Sequence, residues 1–170
     1  MTDLPGPVLD ERWRAHLSRH GFAGVCLFRR NVVNDEQVRA LVRDVREVLG
    51  SEAFVAIDQE GGAVLRVLDA PLSPAPMALG AVGDVALARR VGAATGRALL
   101  SLGINWNFAP VLDVNSDPLN PVIGERSFCG DAALVAELGA AWALGLEDAG
   151  VLSCAKHFPG HGDTREDSHL

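Results

Sequence analysis

Short, wholly apolar runs alternate along this chain with longer stretches in which apolar residues recur every three or four positions. The runs "GVCLF" (Gly24 to Phe28), "FVAI" (Phe54 to Ile57), "INWNFAPVLDV" (Ile104 to Val114, a strand with its exit loop) and "VLSCA" (Val151 to Ala155) predict strands. Between them lie three helical patterns. "NDEQVRALVRDVREVLG" opens on Asn34, whose side chain suits an N-cap, carries acids in its first turn and stops at Gly50. "GDVALARRVGAATGRALLSLG" starts at Gly83 with Asp84 as the predicted cap, and "DAALVAELGAAWALGLEDAG" runs from Asp131 to Gly150.

Strands that are apolar on both faces and separated by helices imply an α/β fold with a parallel sheet and crossover helices. An open nucleotide-binding sheet carries a Gly-rich turn after its first strand, but the turn here is "RRNVVND", without a glycine. The pattern therefore favours a (β/α)8 TIM-type barrel. Such a barrel needs eight strands and about 250 residues. The predicted strands number about four, so residues 1–170 read as the N-terminal portion, roughly the first half, of one barrel. No linker or repeat marks a second domain. "DAPLSPAPMALG" (Asp69 to Gly80) reads as a long Pro-rich loop.

Charge narrows the partners. The formal charge of −7 argues against nucleic acid or an anionic membrane, both of which select basic faces. No apolar run reaches 18 residues and the N-terminal stretch lacks a signal-peptide pattern, so the expected compartment is the cytoplasm. Cys26, Cys129 and Cys154 are odd in number and scattered, which speaks against a disulfide framework; Cys26 and Cys154, in apolar runs, are expected to be buried thiols.

Candidate chemistry follows the strands. "DQEGGAVLR" follows the second run, "NFAPVLDVNSDPLNPVIGERSF" the third and "KHFPGHGDTREDSH" the fourth, so three strands would deliver polar groups to the C-terminal rim where a barrel holds its active site. Asp58, directly after four apolar residues, is placed to accept hydroxyl hydrogen bonds from a sugar, with Glu60 as the alternative acid. The plainer role for Asp58 is to cap the following turn. Arg66 and Arg126 are candidate anchors for hydroxyls or a carboxylate; the plainer alternative is ion pairing with Glu60 or Glu125.

The last motif admits two chemistries. His157 and His161 have metal-ligand spacing on a helix, but Pro159 and Gly160 between them oppose a helix, which leaves only a loop site with Asp163 and His169. Lys156 beside it disfavours a cation. No metal or cofactor is expected. In the other reading Asp167 accepts a hydrogen bond from His169, fixing its tautomer for proton transfer, on a loop made mobile by Gly160 and Gly162.

"IDQEGG", "GINWNFAPVLDVN", "NPVIGERSF" and above all "KHFPGHGDTREDSH" resemble glycoside hydrolase family 3, on its branch of bacterial β-N-acetylglucosaminidases of the peptidoglycan-recycling type. The resemblance runs from about Gly24 to the last residue. It implies a (β/α)8-type barrel and retaining hydrolysis of terminal β-linked N-acetylglucosamine from peptidoglycan-derived fragments, with His169 and Asp167 as the acid/base dyad. Sugar-binding roles carry over to Asp58, Arg66, Arg126, Lys156 and His157. A basic residue usual in the family after the paired glycines is Ala63 here.

The family's nucleophilic aspartate lies on a later strand and has no counterpart in these residues. Retaining chemistry needs two groups flanking the bond, so the chain taken alone is expected to be inactive and, with uncovered apolar surface, to self-associate. Two alternatives stand beside hydrolysis: a β-N-acetylglucosaminide phosphorylase of the same family, and a non-catalytic sugar-binding fragment. The metallohydrolase reading, with His157, His161, Asp163 and His169 as ligands, predicts stoichiometric metal.

Overall fold

The computed structural model describes residues 1–68 and 72–165. In chain order its elements are β1 (Thr2–Asp3), α1 (Glu11–His20), β2 (Gly24–Leu27), α2 (Asp35–Leu49), β3 (Phe54–Ile57), α3 (Pro76–Val82), α4 (Val85–Ser101), β4 (Trp106–Asn107) and α5 (Ala132–Asp148). The four strands form one parallel sheet in the order β1-β2-β3-β4. Strand order following chain order, with a helix between successive strands, is the progression of a (β/α) barrel wall.

The predicted helices begin where their caps direct. Asn34 accepts from the Gln37 amide, Asp84 from Leu87 and Asp131 from Leu134, each satisfying an amide that the first turn leaves without a partner. Gly50 follows the last turn of α2. The helix α1, which the apolar pattern did not predict, is capped in the same way by Asp10 and ends at Gly21 in the left-handed conformation. Its charged, largely exposed sequence buries Leu17 alone, so it offers little periodicity to read.

Two other expectations are corrected. The Pro-rich stretch is not a loop throughout: Pro76 opens α3, where its missing N–H falls at a position that needs none. The run "VLSCA" is not a ladder strand. It lies alongside the chain after β4 and touches it through isolated bridges, Trp106 with Leu152 and Val111 with Lys156. Pro110 has no amide hydrogen, so a regular ladder cannot run past it. For the same reason the predicted strand from Ile104 shrinks to Trp106–Asn107.

The sheet has two unlike faces. Val25, Leu27, Val55 and Ile57 point to the helices and are fully buried with Val38, Leu41, Val42 and Val45 of α2. On the other face Cys26, Phe54, Trp106 and Phe108 are only partly covered, and the Phe54, Trp106 and Phe108 rings meet edge to face at 5.5 and 5.1 Å. All three cysteines are part-exposed, so Cys26 and Cys154 are not the buried thiols expected. Even so, partial burial and the negative charge of Asp58 push the Cys26 thiol up to about 11.

Candidate active site

The polar segments that follow β3, β4 and Val151 converge at the C-terminal ends of the strands. Asp58 follows β3 directly, and Lys156 reaches it from the run after Val151: Nζ lies 2.8 Å from Asp58 Oδ1 and 2.5 Å from Glu60 Oε1. Arg126, in the short turn Gly124–Arg126, grips the same Glu60 through Nε to Oε2 at 2.8 Å and Nη2 to Oε1 at 2.9 Å. Arg66 stands further off, with Nη2 3.9 Å from Asp58 Oδ2. All five predicted sugar-binding residues, Asp58, Arg66, Arg126, Lys156 and His157, thus lie in one linked cluster. Asp167 and His169 lie outside the described residues.

The ion pair first weighed as the plain alternative for Arg126 is present, but it is no surface contact: the Glu60 side chain is 1% exposed and that of Arg126 16%. Burial pushes the Glu60 carboxyl up, and the hydrogen bond from Arg126 and the charge of Lys156 outweigh it, holding the group below the usual glutamate range. The hydrogen bond to Glu60 in turn raises the Arg126 pKa against its burial. Glu60 is thereby spent on structure. Asp58, 18% exposed, is the more accessible of the two carboxylates.

Sequence reasoning missed the residues that hold this arrangement. Asp113, in the exit from β4, is fully buried at its side chain and anchors both ends of the His157–His161 turn. Its Oδ2 lies 2.6 Å from His157 Nδ1 and accepts from the His157 amide at 3.2 Å, and its Oδ1 accepts from the His161 amide at 2.7 Å. Burial pushes this carboxyl up as well, and the hydrogen bonds from His157 and His161 carry it below its ordinary value. The only sequence signal was an acid in an otherwise apolar run, "PVLDV".

Two buried amides do similar work for the turn after β3. Asn107 exchanges hydrogen bonds with both backbone groups of Gln59, at 2.9 Å each, and the Gln59 side chain accepts from the amides of Arg66 and Val67 while donating to the Val67 carbonyl. Arg66 is placed by this relay. On the opposite side Asn120 donates to the His161 carbonyl at 2.6 Å.

Of the two glycines from which a mobile loop is expected, Gly160 has open space around it at φ +139°, while Gly162 has a packing role. A side chain at Gly162 would lie 1.7 Å from the Val114 carbonyl oxygen, so its hydrogen is needed for close packing. Arg165 Nε lies 2.7 Å from Asp117 Oδ2, an exposed ion pair near the end of the described residues.

Hydrogen-bonding capacity remains on the open side. Among the described residues Lys156 spends two of its three N–H donors, one on Asp58 and one on Glu60; Asp58 Oδ2 is beyond hydrogen-bond range of Arg66; His157 is 36% exposed. Donors and acceptors thus lie side by side on a small, charge-balanced surface. Among the described residues no three His, Cys, Asp or Glu side chains come together to hold a metal ion.

The comparisons agree with this geometry. The profile of the glycosyl hydrolase family 3 N-terminal domain matches residues 6–170. Beta-hexosaminidase A of Pseudoalteromonas piscicida is 45% identical over 99% of this chain and 29% of its own length; the beta-hexosaminidase of Chromobacterium violaceum is 41% identical over 99% of the chain and 49% of its own. Among solved structures, a family 3 beta-N-acetylglucosaminidase from Paenibacillus sp. str. FPU-7 superposes with a TM-score of 0.95 at 43% identity, over 99% of this chain and 33% of that one. NagZ from Neisseria gonorrhoeae in complex with N-trifluoroacetyl-D-glucosamine does so with 0.93 at 37%, over 100% and 52%. The chain spans about half the length, or less, of the relatives it matches. With the sheet order, the strand-end cluster and the profile match in agreement, the chain belongs to glycosyl hydrolase family 3, whose N-terminal, TIM-barrel-like domain it represents.

Proposed function

We propose that this chain supplies the sugar-binding wall of a glycoside hydrolase that releases terminal β-linked N-acetylglucosamine from peptidoglycan-derived fragments. The observation that carries the reading is the cluster of Asp58, Lys156, Arg66 and His157 around the fully paired Glu60–Arg126 floor. It is supported by relatives named beta-hexosaminidase across the whole chain and by a neighbour bound to a glucosamine derivative.

In this proposal Asp58 accepts sugar hydroxyl hydrogens, while Lys156 and Arg66 donate to sugar oxygens. A carboxylate already fixed by Lys156 needs little reordering on binding, which lowers the entropic cost of the complex. Hydrolysis proceeds with retention: a nucleophile attacks the anomeric carbon while an acid protonates the departing oxygen, and the same group then activates water. His169 takes the acid/base role, with Asp167 accepting from its other ring nitrogen. The nucleophile is assigned to no residue of this chain.

The test is made on the natural gene product. His169→Ala is expected to slow release of poor leaving groups by about 10²-fold or more and of activated aryl groups far less, since only the former need a proton. Equal loss on both substrates overturns the acid role, and absence of sugar release from either substrate by the wild type overturns the hydrolase reading. Sugar 1-phosphate as the product in phosphate buffer would replace hydrolysis by phosphorolysis.

A further inference from the structure

We infer that Asp113 is a positioning residue that sets the tautomer of His157, so that His157 offers its Nε2 to the ligand as a hydrogen-bond acceptor. An ionised carboxylate accepts and does not donate. The backbone amides of His157 and His161 donate to the Asp113 carboxylate and favour its ionised form, and its Oδ2 lies 2.6 Å from His157 Nδ1. The ring hydrogen therefore sits on Nδ1.

The group facing the other nitrogen is consistent with this assignment. Arg126 Nη2, which is always a donor, lies 3.4 Å from His157 Nε2. A hydrogen on Nε2 would set two donors against each other, whereas a lone pair there gives Arg126 a second, weaker acceptor beyond Glu60. The backbone prevents the ring from escaping the constraint, because the same Asp113 oxygen that takes Nδ1–H also takes the amide of His157 itself.

The consequence concerns ligand chemistry. His157 is the most exposed member of the cluster, and at 3.4 Å its contact with Arg126 is long enough to be exchanged for a better donor. That donor is a hydroxyl. A ligand with a hydrogen or fluorine in place of that hydroxyl cannot supply it, and one such bond is worth about tenfold in affinity. The identity of the ligand as an N-acetylglucosaminide rests on the proposed function; the tautomer does not.

The experiment uses the natural gene product labelled with ¹⁵N, reading the long-range couplings of the imidazole nitrogens, with His157→Gln to assign the resonance. The wild type is expected to show hydrogen on Nδ1 and a bare Nε2. In Asp113→Asn the amide oxygen continues to accept from His161, while the amide N–H donates to Nδ1 and drives the ring hydrogen to Nε2, the same exchange of partners that spoils a hydrolytic triad. N-acetylglucosamine affinity is then expected to fall about tenfold.

A wild-type spectrum with hydrogen on Nε2 overturns the inference even if the variant fails to fold. So does an Asp113→Asn spectrum identical to that of the wild type, or a swapped tautomer with unchanged affinity. If the wild type does not bind N-acetylglucosamine while its Nδ1 carries the hydrogen, the proposed substrate fails and the tautomer assignment stands.

Discussion

Where α4 meets α5 the contact is made by backbone and small apolar groups; at the ends of the strands it is made by buried ions. Gly92 and Gly145 let the two helices approach so closely that a side-chain carbon at either would lie 2.1 Å from a carbonyl oxygen, of Trp142 and Arg89 respectively. Leu99, Leu138, Trp142 and Leu146 fill the space around them. In the rim cluster Glu60 and Asp113 are just as inaccessible, yet each is surrounded by donors. The first region gains stability from dispersion and water exclusion without directional demands beyond shape. The second region roughly breaks even, because desolvation offsets the attraction between charges, and what it yields is position. The site is rigid because it cannot lose one member cheaply.

The sharpest way to break that symmetry is Glu60→Ala. It leaves Arg126 without its bidentate partner and Lys156 with Asp58 alone, and the expected destabilisation is about 3–5 kcal/mol, read from the urea midpoint. A loss below 1 kcal/mol would mean that water replaces the carboxylate and that the cluster is not a closed network. Next in size, Gly145→Val forces the helices apart without touching a charge. The expected cost is about 1–3 kcal/mol in the same assay, with the rim tautomer of His157 unchanged. A change at His157 in that variant would show that the two regions are mechanically coupled.

The smallest effect is also the most selective. Glu60 and Asp113 both have depressed folded-state values, so their contribution is complete above the unfolded carboxyl range and is lost as pH falls through the folded values. Stability is therefore expected to decline below about pH 4.5, the ordinary glutamate value, and Glu60→Gln is expected to flatten part of that decline. Urea midpoints measured at successive pH values check it; a slope identical in the variant would assign acid sensitivity to other carboxylates.

Helices were the legible part of the fold. Their caps are side chains adjacent in sequence to the amides they satisfy, so Asn34, Asp84 and Asp131 could be read one turn ahead of their effect. Strands were legible only where apolar on both sides. β1, two residues long, owes its existence to pairing with Val25 and Cys26, and no local pattern announces it. The bridges around Val151 failed the opposite way: their apolar residues promised a ladder that Pro110 forbids.

The site divides along the same line. Sequence alone determined which groups follow which strand, and hence that Asp58, Arg66, Arg126, Lys156 and His157 share a rim, because a parallel sheet delivers every strand end to the same side. It could not tell Asp58 from Glu60. The two are told apart by Arg126, 66 positions away from Glu60 in the chain, whose grip buries Glu60 while Asp58 stays the more accessible. Nor could it find Asp113, whose role exists only because residues 44 and 48 positions later fold back onto it. Local rules fix what a residue offers; which partner takes up the offer is decided by burial, since an ion removed from water must be satisfied by whatever the fold brings within reach.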